Sequence, residues 1–415
     1  MLKNFYANCS KSVFYSPFIK KNKSIVDFPI LNKSLFMSHF DDINTVNIKL
    51  ENALEVALKS ESSRDFSPTI SGITVGLSSG TSGNRGVFLA SEKERAYWVA
   101  LILDRVVGFS FKKRSVAFFL RANSNIYDSV KSKTLLFQFF DLLNPIEEHI
   151  HRLNALQPTI LVAQPSMLIE LAQCINENKL RIAPTKIISV AEVLTPEDKN
   201  YLEKVFKQTI HQVYQCTEGF LASSCKFGTL HFNEDFLIIE KKYIGRDAIH
   251  RVSLETEDAM NRGSTRFYPI ITDLKRTSQP IVRYELNDII IPKDYCLCGS
   301  KFQAIQAIEG RADDILIFTN NKNEEVKIFP DFFRRAIILS DSEIFDYALI
   351  QTEKNHLLLY IKSNNRSSFY ACECALQNLL NQFYIYNVLI SQTFNNQTVK
   401  GNKLRRIRND VIKTH

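Results

Sequence analysis

Residues 159–219 read TILVAQPSMLIELAQCINENKLRIAPTKIISVAEVLTPEDKNYLEKVFKQTIHQVYQCTEG. The run TILVA (159–163) is short, apolar and rich in β-formers, which predicts a buried strand. Pro165 then suits the first turn of a helix, where its missing N–H is no loss. Leu168, Leu171, Ala172 and Ile175 recur at helical spacing behind it. KIISVAE (186–192) predicts a second buried strand. Thr195 and Asp198 around Pro196 form a variant capping box that opens the helix TPEDKNYLEKVFK. HQVYQ (211–215) is the third strand. Strand, helix, strand, helix, strand predicts parallel βαβ units and an α/β fold. Ligands in such sheets lie beyond the C-terminal ends of the strands. AEVL (191–194) and YQCTEG (214–219) both fall there.

Working outward, the chain has 415 residues, more than one ordinary core holds, so two domains are expected. The last hundred residues change in texture. YALIQTEKNHLLLYIK (347–362) reads as a hairpin, SSFYACECALQNLLNQFY as an amphipathic helix and YNVLISQTF as a further strand. The boundary is expected at GRADDIL (310–316), giving a large N-terminal domain over 1–312 and a small α+β domain over 313–415. No internal repeat or low-complexity segment interrupts either part.

Composition narrows the function classes. No stretch approaches the roughly 20 apolar residues of a membrane span. The N-terminus has one early Lys and no long apolar run, which predicts no signal peptide and a cytoplasmic protein. Eight cysteines are sparse for this length and do not describe a disulfide scaffold. The net charge of +8 suits an anionic ligand, yet scattered surface lysines account for most of it. One dense run, KGNKLRRIR (400–408), stands near the end without any nucleic-acid module signature. Neither nucleic acid nor a membrane is expected as a partner.

Upstream of the βαβ units, VGLSSGTSGNRG (75–86) begins as a strand and dissolves into Gly, Ser and Thr. Glycines let backbone N–H groups approach an anion, and hydroxyls add donors. Arg85 adds positive charge. The spacing is not that of a Walker A loop. A phosphate cradle and a hydroxyl-rich surface loop are both open on this stretch alone.

The order of segments resolves more than any one of them. SSGTSGNRG is followed by AEVL, YQCTEG, ITDLKRTSQPIVRYELNDI, GRADDI and a Lys/Arg-rich run. This ordered set resembles the adenylate-forming (acyl-activating) superfamily over nearly the whole chain. Within it, the chain is most similar to the branch of phenylacetate-CoA ligase and the deazaflavin-coenzyme synthetases. The opening PILNKSLFMSHFDDINT also resembles a subgroup of that branch.

The resemblance implies a set of roles. Ser78, Ser79, Thr81 and Ser82 would donate hydroxyls to ATP phosphates, with Gly80 and Gly83 giving backbone access. Arg85 stands where the family pattern has Lys, and the two are not interchangeable at phosphate. Ala191 and Glu192 match the segment against adenine. Tyr214 would stack on adenine, Thr217 would reach the α-phosphate and Glu218 would hold magnesium. Asp288 and Arg311 match the pair that approaches the ribose, and Arg283 would brace that region or form a structural salt bridge. Asp313 or Asp314 would mark a hinge on which the small domain rotates between two half-reactions. Lys403, with Lys400 as its competitor, would bridge the attacking carboxylate and the α-phosphate.

The activity so implied is ATP-dependent activation of a small-molecule carboxylate as acyl-AMP, then transfer to a thiol of coenzyme A or a carrier protein. Transfer to an amine, transfer of AMP itself, and a catalytically silent nucleotide-binding module are the alternatives. The oligomeric state is open, a homodimer included.

A second constellation comes from cysteine and histidine. Cys225 and His231 are spaced C-x5-H, and Cys296 and Cys298 form C-x-C. Together they supply the four ligands of a closed tetrahedral zinc site. Some members of the phenylacetate-CoA ligase branch carry a structural zinc on a similar arrangement, so the resemblance implies zinc here. Cys9, Cys174, Cys372 and Cys374 read as packing residues, and Cys216 as a bystander in the nucleotide motif. His149 and His151 read as surface or interface residues. Tyr97 and Trp98 read as core aromatics, with an approach to the acyl pocket as the alternative.

Overall fold

The computed structural model describes residues 1–21, 24–63, 65, 67–78, 85–108, 110–120, 135–244, 266–341, 343–394 and 405–411. Five strands run parallel side by side: Leu135–Asp141, Arg114–Leu120, Ile160–Ala163, Lys186–Ser189 and Ile210–Cys216. The helices Pro165–Asn176 and Pro196–Phe206 make the crossovers between the last three. The βαβ units and the α/β class expected from residues 159–219 are therefore present. The second strand ends at Ser189 rather than at Glu192, so AEVL lies wholly in a loop. The Thr195 hydroxyl caps its helix by accepting from the Asp198 N–H.

From Ile210–Cys216 the same sheet continues antiparallel through Gly219–Ser224, Leu230–Phe232, Ala304–Arg311, Asp288–Lys293 and Phe267–Asp273 to Leu237–Tyr243. The chain changes hand at Thr217–Glu218, the tight connection between a parallel and an antiparallel strand. A separate sheet of three strands carries Ile73–Leu77 and Val87–Ala90, between which the Gly/Ser/Thr-rich segment runs. Gly76 is needed there, because a Cβ on it would lie 2.2 Å from the Phe88 ring.

Apolar burial explains why the layers hold. Phe28, Phe36, Phe232, Phe267 and Tyr284 bind the N-terminal segment to the antiparallel strands. Phe119, Phe140, Leu161, Leu168, Ile187 and Leu202 fill the layer between the parallel strands and their helices. Each such side chain contributes about 1.5–3 kcal/mol on full burial. His149 belongs to that layer too. It is fully buried against Phe119 and Phe140, not at the surface, because it stands on the apolar stripe of its helix with Leu153. Cys374 departs from its reading in the other direction and is exposed.

After Arg311 the chain leaves the large sheet. Leu316–Thr319 pairs with Glu325–Ile328, and Ile344–Glu353, His356–Ser363, Leu389–Gln392 and Ile407–Asn409 form a four-stranded sheet. The hairpin, helix and strand expected from sequence are all found. Leu316, Phe318, Phe333, Leu349, Leu359 and Leu376 form a core of their own. This unit reaches back to the helix Pro196–Phe206 through ion pairs, Arg406 with Asp198 at 2.6 Å and Arg334 with Glu197 at 3.8 Å.

Candidate active site

A cavity of about 1520 Å³ opens beyond the C-terminal ends of the parallel strands. That exceeds the roughly 300–1,000 Å³ of an ordinary small-molecule site and leaves room for more than one ligand. Val190, Ala191, Gln215 and Thr217 line it from the strand ends and their loops, where the sequence placed a ligand. Ala191 adopts φ 68°, a left-handed conformation uncommon for a residue with a side chain. Strain of this kind is held only where the surroundings enforce it. Its neighbour Glu192 accepts a hydrogen bond from the Ser166 N–H at 3.2 Å, tying the loop to the start of the preceding helix.

One corner is built by Tyr214, Asp288 and Arg311. The Tyr214 hydroxyl donates to Asp288 Oδ2 at 2.5 Å. Asp288 and Arg311 lie opposite each other in neighbouring strands, and Arg311 Nε stands 3.6 Å from Asp288 Oδ1. Burial and the nearby Asp288 carboxylate push the Tyr214 hydroxyl well above its ordinary pKa, so it stays a donor. Carboxylate, guanidinium and phenol side by side offer both donors and acceptors to a diol.

The second corner holds Thr217 and Glu218. The Thr217 hydroxyl donates to Glu218 Oε2 at 2.8 Å. Burial first, then the Glu218 carboxylate with which it hydrogen-bonds, raises the pKa of Tyr284. Arg276 supports this turn by donating to the Thr217 carbonyl at 3.4 Å while facing Glu94 at 4.0 Å. Burial would raise the Glu94 pKa. Arg276, with donors from Ser278, Ser91 and Thr277, outweighs that and holds it below the ordinary value.

Lys33 joins the two corners from an unexpected direction. Leu31 bridges to Tyr284, which carries the helix Lys33–Ser38 to the rim of the cavity. Lys33 Nζ donates to Ser78 Oγ at 3.3 Å, and Ser78 Oγ accepts from the Gly86 N–H at 2.7 Å. Burial lowers the Lys33 pKa, with Glu218 and Asp313 opposing that shift and Arg311 adding to it. No sequence motif flagged Lys33. The signal that could have found it is the charged residue at the first turn of a helix in PILNKSLF.

Arg85 has a different neighbour. Its guanidinium forms a two-pronged pair with Glu61, at 2.6 and 2.9 Å, and its Nε donates to the Ser78 carbonyl. Ser79, Gly80, Thr81, Ser82, Gly83, Lys400 and Lys403 lie outside the described residues. Asp313 accepts from Asn287 Nδ2 at 2.9 Å, and Asp314 pairs with Arg405.

The same architecture occurs in solved structures. A 2-hydroxyisobutyryl-CoA ligase in the postadenylation state superposes with a TM-score of 0.67 at 16% identity, over 99% of this chain and 89% of that one. The same ligase in the thioesterification state, in complex with 2-HIB-AMP and CoA, gives 0.51 at 16% identity over 99% and 90%. The amide bond synthetase McbA from Marinactinospora thermotolerans gives 0.53 at 10% identity, over 83% of this chain and 69% of that one.

The chain has the adenylate-forming fold.

No family model matches the chain. Protein CapK of Staphylococcus aureus is 22% identical over 229 residues, 53% of this chain and 45% of that protein. The match therefore spans less than half of that curated relative. Among the described residues, no helix is long and apolar enough to cross a membrane.

On this fold the Cys/His constellation comes together away from the cavity. The donor atoms of Cys225, His231, Cys296 and Cys298 all lie within 4.8 Å of one another. Cys225 and Cys296 Sγ are 3.8 Å apart, and Cys298 Sγ lies 3.3 Å from His231 Nε2. Tetrahedral Zn–S bonds of about 2.3 Å imply S···S separations of about 3.8 Å, which fits. The His231 ring faces the Phe302 carbonyl with Nδ1 at 3.1 Å, the partner that leaves Nε2 for a metal. A backbone hydrogen bond within the C-x-C turn is the main influence lowering the Cys296 thiol to about 6.

Arg283 is a brace. It grips Glu240 through two bonds, at 2.9 and 2.7 Å, and donates to the Val26 and Phe28 carbonyls. Cys216 is half-buried near Glu218 and Asp288, and its thiol pKa is pushed well up, mainly by desolvation. Tyr97 and Trp98 are half-buried: Trp98 packs against the core, Tyr97 meets the Phe236 ring, and both also line the cavity.

Proposed function

We propose that this chain is an ATP- and magnesium-dependent ligase that activates a carboxylate as acyl-AMP and passes the acyl group to a thiol. The observation that carries this reading is the meeting of Thr217–Glu218, Tyr214–Asp288–Arg311 and Lys33–Ser78 around one large cavity on this fold. The carboxylate oxygen attacks the α-phosphorus of ATP, the bond to the bridging oxygen breaks, and pyrophosphate leaves. The protein's main task is to hold two anions in line against their repulsion.

Residues divide that task. Asp288 and Arg311 take the ribose hydroxyls, and Tyr214 offers its ring to adenine while its hydroxyl fixes Asp288. Glu218 would hold magnesium, which would supply positive charge for the phosphates, and Thr217 would donate to the α-phosphate. Lys33 and the Ser78 end of the loop meet phosphate charge, which Arg85 supports by holding the loop base to Glu61. Lys403 and residues 79–83 keep the sequence-based roles given above.

Residues 1–312 form the ATP- and acyl-binding domain and 313–415 a mobile one, with the turn at Asp313 and Asp314 between them. The better superposition on the postadenylation state than on the thioesterification state supports a first-half-reaction arrangement here. Rotation about that turn would then open the site to the thiol of coenzyme A or of a carrier protein. Cys225, His231, Cys296 and Cys298 hold a structural zinc, which pins the segment after Glu218 to the segment before the hinge.

The test is pyrophosphate release from ATP and magnesium across a panel of aryl and aliphatic acids, then thioester formation with coenzyme A. An acid-dependent burst lost in Glu218→Ala supports the reading. Product masses separate thioester, amide and AMP-transfer outcomes.

A further inference from the structure

The helix Glu92–Ile102 holds Tyr97, Trp98, Val99, Leu101 and Ile102, yet none of its residues is buried. Trp98, Leu101 and Ile102 pack in part against the core beneath them and in part line the cavity. The helix then widens into a π-turn over Leu103–Val107, closed by Gly108 at φ 78° and held by Arg114 through the Val107 and Gly108 carbonyls. Opposite stand Val116, Phe118, Phe137, Val162, Val213 and Phe220 from the parallel strands and their neighbour. This end of the cavity is an apolar chamber, distinct from the polar corners at Asp288 and Glu218.

Two charged residues of that helix, Glu94 and Arg95, line the cavity, and Glu94 faces Arg276. Arg95 lines the cavity and shares a helix face with Trp98 and Ile102, three and seven residues on. Among the described residues, every other cation of the cavity wall is engaged: Lys33 with Ser78, Arg85 with Glu61, Lys242 with Glu285, Lys275 with the Tyr97 ring, Arg276 with Glu94, and Arg311 and Arg405 with aspartates. Arg95 is half-buried, and its Nε is sealed from solvent without a hydrogen-bond partner among the described residues. A guanidinium nitrogen sealed from water without a partner is short of a hydrogen bond, and an acceptor bound in the cavity can meet the same guanidinium.

We infer that the acyl substrate is an apolar acid bearing a second anionic group, and that Arg95 binds this second group. The inference rests on the adenylate-forming reading above and names the substrate class for it. The apolar walls select the body of the acid, and Arg95 selects its second charge. A fork of guanidinium donors suits a carboxylate, which it can meet with two parallel hydrogen bonds.

Matched acids test it: octanoate against octanedioate, and 3-phenylpropanoate against its para-carboxy analogue. The readout is pyrophosphate release with wild type, Arg95→Ala and Arg95→Gln, all checked for unchanged melting. The expected ratio of kcat/KM, diacid over monoacid, is about tenfold or more in wild type for at least one pair, the size of a charge-assisted hydrogen bond. It falls to about one in both variants, chiefly through KM for the acid. A wild-type preference for the plain acids, or variants that weaken ATP or all acids alike, overturns the inference while leaving acyl activation standing. No pyrophosphate with any acid removes the parent reading and this one together.

Discussion

Tyr214 and Asp288 are 74 residues apart in sequence, yet the Tyr214 hydroxyl donates to Asp288 Oδ2 at 2.5 Å. The bond joins the last parallel strand to the antiparallel strand that carries Arg311's partner. It orients the carboxylate before any nucleotide arrives. Tyr214→Phe is expected to keep the ring and lose the orientation, raising KM for ATP about tenfold, since one hydrogen bond to a charged group is worth roughly 1.5–3 kcal/mol. Asp288→Asn removes the charge opposite Arg311 and is expected to cost at least as much. ATP titrations of the adenylation rate check both.

Glu218 is the magnesium residue of the account. Glu218→Gln is expected to lower kcat for pyrophosphate release by about 100-fold or more, with the magnesium requirement shifted to higher concentration, because metal-held charge stabilisation contributes several kcal/mol. Melting temperature should barely move. Magnesium titrations of wild type and variant separate loss of metal from loss of fold.

The proposed zinc site at Cys225, His231, Cys296 and Cys298 predicts a different pattern. Cys296→Ser is expected to lose bound zinc and lower the melting temperature, with ATP affinity in the folded protein little changed. Metal analysis should return one zinc per chain for wild type, as a single four-ligand site requires. A strong chelator should lower the melting temperature of wild type and leave Cys296→Ser where it already stands.

Asp273 gives a pH prediction. Burial raises its pKa to about 6, opposed by donors from the Lys275 and Arg276 backbone. The folded state therefore holds this proton when the unfolded chain has released it. Stability from this group is greatest below the unfolded carboxylate value of about 4 and is lost as pH rises through about 6. Asp273→Asn keeps the acceptor oxygen and removes the titration. The wild-type melting temperature should fall relative to that variant between pH 4 and pH 6.

How much of this was legible differs by range. The βαβ units were, because strand runs, Pro165 and the Thr195–Asp198 cap act within a few residues. Motif order singles out Thr217, Glu218, Asp288 and Arg311, and all four line the same cavity. Lys33 was not, because it reaches the site only through the long-range bridge of Leu31 to Tyr284. Arg85's partner Glu61 lies on a helix 24 residues earlier, with nothing local to announce it. His149 was misread because a polar residue on an apolar stripe reads as exposed until its ring is seen against Phe119 and Phe140. Trp98 both packs on the core and lines the cavity, a division that periodicity does not reveal.

The Asp198–Arg406 pair holds the C-terminal unit against the cap of the helix Pro196–Phe206, with both side chains largely buried. Arg406→Ala leaves Asp198 without that partner and should weaken this arrangement. Pyrophosphate release is expected to slow several-fold while thioester formation from preformed acyl-AMP is spared, and parallel assays of the two half-reactions read the difference.

The most direct measurement is acid-dependent pyrophosphate release from ATP and magnesium by wild type beside Glu218→Ala. The account predicts release with at least one acid in the panel and its loss in the variant, with acyl-AMP identified by mass. ATP that fails to bind wild type, or release that Glu218→Ala leaves intact, would contradict it.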